Sequence, residues 1–273
     1  MTDHSDVTVI VTNYNYGDYL PAAVASALAQ DGGEPAVVVV DDGSTDPGTD
    51  EVLGSLPPQV RVLRQSNAGP SAARNAGIAA ATSPYLLVLD ADDLLLPQAL
   101  QALKPPLLAD PQLGFTYGRT RFFGAWEGIL DLPPSDPFRL LYRHMIGLTT
   151  LVRAEVLRDT GGFDPAFKGY EDWELWLHAL AHGWEGRRVE VETLHYRRHD
   201  VPSVNVGARR EYRRIYRRLR AKHAALYRRS AELASRTRAP VSDRVVYPLF
   251  WGWRPVPAVI EHLVYARRWR SRA

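Results

Sequence analysis

Over the first ninety residues, short apolar runs closed by polar clusters alternate with stretches of helical periodicity. Residues 7–12, rich in β-branched side chains, predict a buried parallel strand. A turn over 13–18 leads to a helix over 19–30, with Leu20, Val24, Ala27 and Leu28 on one face. Residues 36–40 predict a second strand, 51–56 a short helix and 60–65 a third strand. Pro70, at a first-turn position where its missing N–H costs little, opens a small-residue helix over 71–81. Residues 85–89 form the fourth apolar run.

Strand–helix alternation with short links predicts an α/β fold: a Rossmann-like, mostly parallel sheet flanked by helices. Ligands of such sheets sit beyond the carboxyl ends of the strands. Three polar clusters fall there: residues 12–15, the pair Asp41-Asp42, and Asp90-Ala91-Asp92-Asp93.

The stretch 94–159 is less regular. Pro105-Pro106, Pro111 and Pro133-Pro134 are expected to break it into short pieces, with a strand at 113–117. Gly161-Gly162-Phe163-Asp164 then makes a tight turn leading to Gly169-Tyr170-Glu171-Asp172. Trp173, Trp176, Leu177 and Leu180 recur at helical spacing, and His182-Gly183 supplies the stop. Glu171 and Asp172 therefore stand at a helix N-terminus, where the dipole favours ionised carboxylates and where simple capping would also place them.

From Arg209 onward the character changes. Tyr212, Ile215, Tyr216, Leu219, His223, Leu226 and Tyr227 fall on one helical face, with arginines on the rest. Such a basic amphipathic helix over 209–230 either lies on an anionic membrane surface or packs its stripe on its own domain. Tyr247, Phe250, Trp251, Trp253 and Trp269 add aromatics suited to a headgroup interface. We place a first domain over 1–205 and a basic helical C-terminal extension over 206–273.

Charge sharpens that division. The net charge of +2 hides 11 Lys/Arg against 24 Asp/Glu in residues 1–186, and 22 against 7 in residues 187–273. An acidic, metal- or phosphate-handling body is joined to a basic surface that meets something anionic. Cysteine is absent, which excludes disulfides, thiolate metal sites and cysteine nucleophiles. The start carries no signal-peptide pattern and no run of about 18 apolar residues occurs, so the expectation is a cytoplasmic protein, peripheral at most on the inner face of a membrane. No nucleic-acid module is recognisable, and nucleic acid is not expected as a partner.

The candidate chemistry is acidic. Side chains alternate along a strand, so Asp90 and Asp92 point the same way, their Cα atoms roughly 6–7 Å apart. Like charges so placed repel unless water, a cation or a basic partner compensates them. Oxygen ligands of this kind suit Mg²⁺ or Mn²⁺ bound together with substrate phosphates.

The motifs together resemble the inverting glycosyltransferases of glycosyltransferase family 2, which have the GT-A fold. The resemblance is carried by Val9-Ile10-Val11-Thr12-Asn13-Tyr14-Asn15, Val38-Val39-Val40-Asp41-Asp42-Gly43-Ser44-Thr45-Asp46 and Asn67-Ala68-Gly69-Pro70-Ser71-Ala72-Ala73-Arg74-Asn75-Ala76-Gly77. Leu89-Asp90-Ala91-Asp92-Asp93, Gly161-Gly162-Phe163-Asp164 and Glu171-Asp172-Trp173 continue it in the family's order. It implies a nucleotide-sugar donor, UDP-linked as first choice, and a glycan or lipid-linked glycan acceptor. It implies that Thr12, Asn13 and Tyr14 line the base pocket and that Asp41 reads the base. Thr12 stands where many relatives have proline. Arg74 would lie near the base or diphosphate, Asp90 would contact ribose or metal, and Asp92 would ligate Mn²⁺ or Mg²⁺. Asp172 is implied as the base that deprotonates the acceptor, with Glu171 orienting the acceptor or capping. His199, in the basic stretch that begins at His195, would be a metal ligand, a phosphate donor or a structural histidine. A sugar nucleotidyltransferase would want a glycine-rich, lysine-containing loop after the first strand, which Asn13-Tyr14-Asn15 is not. A non-catalytic nucleotide-sugar-binding module would bind nucleotide without turnover.

Overall fold

The computed structural model describes residues 5–130, 134–200, 204–237 and 241–250. The chain forms two compact units, one of Met1–Ser135 with His144–Ser203, the other of Asp136–Arg143 with Val204–Ala273.

The first unit begins β1 (Val7–Asn13), α1 (Leu20–Leu28), β2 (Ala36–Asp41), α2 (Thr49–Ser55), β3 (Arg61–Arg64), α3 (Pro70–Ala80) and β4 (Tyr85–Asp90). It continues with β5 (Leu94–Leu95), α4 (Ala99–Ala109), β6 (Leu113–Gly124) and β7 (Gly128–Leu130). After α5 (Pro137–Leu140), which belongs to the second unit, the chain returns as β8 (Leu151–Arg153), α6 (Ala154–Thr160), α7 (Glu171–Ala181) and β9 (Glu185–Arg198). One sheet runs in the order β3-β2-β1-β4-β8-β6-β9-β5, with β7 paired to β6. The first four strands are parallel neighbours; β8 is antiparallel to both β4 and β6, and β9 runs parallel to β6.

The strands β1, β2 and β4 are apolar along most of their length because both faces are covered, whereas the edge strand β3 carries Arg61 and Arg64 at its ends. Val9, Val11, Val39, Leu87 and Leu89 pack on one side with Leu20, Val24 and Ala27 of α1 and Leu100, Leu103 and Leu107 of α4. On the other side α3 lies close against Ile10 and Val40. A Cβ on Gly77 would stand 2.2 Å from Ile10 Cγ2, so only glycine lets the helix sit at that depth. This close seat fixes the height at which Arg74, one turn earlier, meets the strand ends.

Residues 70–80 and 171–181 match the sequence-based expectation closely, whereas the prolines mislead. α4 runs straight through Pro105 and Pro106 rather than breaking before them. Its face of Ala99, Leu100, Leu103 and Leu107 is buried, and each leucine contributes about 1.5–3 kcal/mol, which offsets the lost helical hydrogen bonds. The strand expected over 113–117 extends to Gly124 because β9 pairs along it.

In the second unit α8 (Val204–Lys222), α9 (Ala224–Arg228), α10 (Ser230–Arg236) and α11 (Val241–Phe250) follow one another. The predicted single face over 209–230 is divided: the helix stops at Lys222, and Leu226 and Tyr227 lie on α9. Ile215, Tyr216, Leu219, Leu226 and Tyr227 are buried, as are Phe138, Leu140 and Leu141 in and beside α5. The Tyr216 and Tyr227 hydroxyls donate to the Leu141 carbonyl at 3.4 and 2.5 Å. Arg139 pairs with Asp243 and lies over the Tyr247 ring. The apolar stripe is thus spent inside its own unit, the second of the two readings that the sequence leaves open. The predicted interfacial aromatics Trp251, Trp253 and Trp269 lie outside the described residues. Among the described residues, no helix is long and apolar enough to cross a membrane.

Candidate active site

Strand register places the acidic clusters side by side at the carboxyl end of the parallel strands: Asn13 is level with Asp41, and Thr12 with Asp90. Two hydrogen-bonded networks grow from this line.

The first surrounds Asp41. Asn13 Nδ2 and the Ser44 hydroxyl donate to Asp41 Oδ1 at 2.8 and 2.6 Å, and Ser44 N–H donates to Oδ2 at 3.2 Å. Asn15, at φ 57°, accepts from Thr45 and Asp46 N–H through its side chain, which closes the loop over Ser44. Asn13 Oδ1 is buried without a protein partner, a polar atom in want of a donor. Tyr14 projects 44% exposed beside it in sequence. Asp42 has a different task. It accepts from the N–H groups of Ala68 and Gly69 at 2.9 and 2.8 Å, and so fixes the entry into α3.

The second network is built around Arg74. Its buried guanidinium donates to Asp90 Oδ1 at 3.1 Å and to Glu171 Oε1 at 2.6 Å. Burial alone would lower its pKa, but the two carboxylates raise it and hold the charge. Thr12 Oγ1 adds a 3.2 Å bond to Asp90 Oδ1. The Gly161-Gly162-Phe163-Asp164 turn docks on the same helix: Asn75 exchanges two hydrogen bonds with the Phe163 backbone at 2.7 and 2.8 Å. A Cβ on Gly162 would meet Asn75 Oδ1 at 2.5 Å. This docking carries the chain to α7 with Glu171 beside Arg74.

Asp92 and Asp93 sit beyond β4. His199 Nε2 lies 2.7 Å from Asp92 Oδ2, and its ring stacks on Tyr16 and meets Tyr19 edge-on. Arg197 N–H donates to Asp93 Oδ1 at 2.8 Å, while its guanidinium, between the Tyr19 and Phe123 rings, donates to the Asp92 carbonyl at 3.0 Å. Burial raises both carboxyls, and Asp90 adds to the effect; for Asp92 the His199 bond works against it. Asp172 behaves oppositely. Burial would raise it too, but His144, 2.9 Å away, together with Trp173 N–H and Arg74, brings it below the usual carboxylate range.

The structure therefore joins Thr12, Arg74, Asp90 and Glu171 in one chain, and Asn13 with Asp41 in another. The predicted metal set of Asp90, Asp92 and His199 does not converge: Asp90 is turned to Arg74 and Thr12 while Asp92 and His199 pair with each other. Among the described residues no group of three or more His, Cys, Asp or Glu side chains gathers as a metal site. His144 lies beyond sequence reasoning, since it sits in a stretch without periodicity or motif. The partnership of Arg74 with both acidic clusters was equally unreadable, because Glu171 is almost a hundred residues away.

Comparison with known proteins fits this geometry. Succinoglycan biosynthesis protein ExoU of Rhizobium meliloti (strain 1021) is 35% identical over 204 residues, covering 66% of this chain and 58% of that protein. Succinoglycan biosynthesis protein ExoO of the same organism is 45% identical over 100 residues, 36% of this chain and 28% of that protein. These matches span less than two thirds of either Rhizobium protein. An Escherichia coli relative named UDP-Glc:alpha-D-GlcNAc-diphosphoundecaprenol beta-1,3-glucosyltransferase WfaP is 25% identical over 198 residues, 71% of this chain and 77% of that protein. The fold is that of S. aureus TarS residues 1–349 in complex with UDP-GlcNAc, at a TM-score of 0.63 and 18% identity over 87% of this chain and 69% of the other. Residues 8–157 match the sequence profile described as glycosyl transferase family 2. The chain belongs to glycosyl transferase family 2.

Proposed function

We propose that this protein transfers a sugar from a UDP-sugar to a hydroxyl of a glycan or lipid-linked glycan, by single displacement with inversion. The observation that carries the reading is the Arg74 bridge, which ties the strand-end carboxylate Asp90 to Glu171, the neighbour of Asp172. A donor-holding cluster and a proton-accepting group are thereby brought to one place. The choice of UDP draws on the TarS complexes with UDP-GlcNAc and UDP, and a lipid diphosphate acceptor on the name of WfaP.

In this reading Asn13, Tyr14 and Asp41 take the base, and Thr12 and Asp90 the ribose side. Arg74 lends positive charge near the diphosphate. The acceptor oxygen bonds to the anomeric carbon as its proton passes to Asp172 and the bond to the diphosphate breaks. A correctly placed base contributes typically ~10²–10⁴-fold. The lowered carboxyl of Asp172 keeps it ionised and ready to accept at neutral pH. Asp92, whose carboxyl is raised by burial and by Asp90, would offer an oxygen ligand to a divalent ion such as Mn²⁺, while Asp90 and His199 do not join it as a ready-made set. Such an ion, when bound, would neutralise charge developing on the leaving diphosphate. Exposed arginines on α8, among them Arg213 and Arg217, support an anionic membrane as the place where the acceptor is met.

The test is a panel of nucleotide sugars with purified protein and Mn²⁺ or Mg²⁺, followed by UDP release and the anomeric configuration of the product. Binding of no nucleoside diphosphate with either ion sinks the proposal. For the arginine face, wild type should co-sediment with anionic but not neutral vesicles, and R213E/R217E should weaken that preference; equal sedimentation with both vesicle types removes it.

A further inference from the structure

His144 belongs to none of the sequence motifs, yet its imidazole is the direct partner of Asp172. Nε2 stands 2.9 Å from Asp172 Oδ2 and 2.9 Å from the Ile146 carbonyl oxygen. A carbonyl can only accept, so Nε2 carries a hydrogen whether the ring is neutral or charged. That N–H is shared between the carbonyl and the carboxylate. The Ile146 carbonyl also accepts from Trp176 Nε1 at 3.1 Å, and Met145 and Ile146 are fully buried. The segment bearing His144 is thus pinned to the same helix that bears Asp172. The Trp173 ring lies near-parallel to the imidazole at 6.4 Å, and Tyr170 meets it edge-on at 5.6 Å. Tautomer, position and ring plane are all set by groups of the first unit. The other charges facing the pair are Glu171 on α7 and Arg74 on α3, the latter already bound to Glu171 and Asp90.

We propose that His144 is the positioning residue of the base: its Nε2–H, anchored by the Ile146 carbonyl, pairs with and orients Asp172 Oδ2. The inference rests on the assignment of Asp172 as the proton acceptor. During transfer the acceptor's proton goes to Asp172, the electron pair of the breaking bond leaves with the diphosphate, and the Nε2 hydrogen stays on His144. The electrostatics agree with the geometry. Burial disfavours the charged form of each partner, yet each holds the other charged, so the imidazole titrates above its ordinary value and the carboxyl below.

The experiment compares wild type, H144Q, H144F and D172N for kcat and donor KM across pH, with UDP binding as the control for an intact donor site. H144Q retains an N–H donor but no titratable charge. Its Asp172 carboxyl should rise, moving the acid limb of kcat upward by about one pH unit or more, as loss of an adjacent opposite charge does, while donor KM stays constant. H144F loses the donor as well, and its kcat should fall by roughly 10–100-fold, at or below the low end of what a placed base contributes. An acid limb in H144Q that superimposes on wild type overturns the proposal. A second measurement needs no histidine variant: the NMR titration of the His144 ring should fall in D172N, and an unchanged titration overturns the proposal as well. Wild-type turnover in D172N would instead remove the assignment of the base, which separates the two failures.

Discussion

Asp92 with His199 and Asp172 with His144 are alike in chemistry and spacing, at 2.7 and 2.9 Å, yet their carboxyls are displaced in opposite directions. The surroundings make the difference. Asp92 stands among Asp90 and Asp93, and one imidazole does not neutralise that company. Asp172 has the imidazole and the field of Arg74, and its own neighbour Glu171 is already bound by that arginine. A histidine beside a carboxylate is therefore not one device. In the first place the cluster keeps an unmet demand for positive charge, which suits a cation-and-diphosphate site. In the second the demand is already met, which suits a base that must be ionised before the acceptor arrives.

The sharpest break of this comparison is D172N, which should lower kcat by about 10²–10⁴-fold and leave UDP affinity intact in a binding titration. R74M strikes both sides together. It strands Asp90 and Glu171, and stability in urea should drop by about 3–5 kcal/mol, the cost of removing one partner from a buried ion pair. D92N separates the two pairs: divalent-dependent UDP binding should weaken by roughly 10–100-fold, read by calorimetry with and without Mn²⁺, with D172N as the insensitive control. The finest distinction is in pH-dependent stability. Asp172 is lowered, so its contribution is present above the unfolded pKa and lost as pH falls through the folded value. His144 is raised, so its contribution is present below the unfolded pKa and lost as pH rises through the folded value. Both are present between about pH 4 and 6.5, where H144Q should differ most from wild type in urea unfolding, the gap closing at higher pH. Asp93 has the opposite sign: its raised carboxyl makes ionisation unfavourable to folding, and D93N, which can still accept from Arg197 N–H, should be more stable than wild type at pH 8.

What could be read from the chain follows from how local the information is. The strands β1, β2 and β4 and the helices α3 and α7 declare themselves by short-range pattern, and the positions of Asp41, Asp90 and Asp92 follow from strand ends alone. Pairing does not. That Asp90 would turn to Arg74 rather than toward Asp92 and His199 depends on how deeply α3 sits, which Gly77 permits but no periodicity announces. Pro105 and Pro106 misled because their cost is local while the burial that offsets it is contributed by the sheet. His144 was invisible for the same reason, since its meaning arises only where an aperiodic segment touches the start of α7.

The second unit has a consequence for modularity. The chain visits it twice: Phe138, Leu140 and Leu141 arrive before β8 has been made, and the helices that share their interior come after β9. The C-terminal part is thus half of a body whose other half is threaded through the catalytic sequence, not an appendage that can be cut away. Shortening the chain at residue 204 would leave a bare apolar segment in mid-sequence, and such a fragment would report aggregation in place of any property of the helices removed. The same threading forbids exchange of this tail as a cassette between relatives, and requires that residues 136–143 change with it.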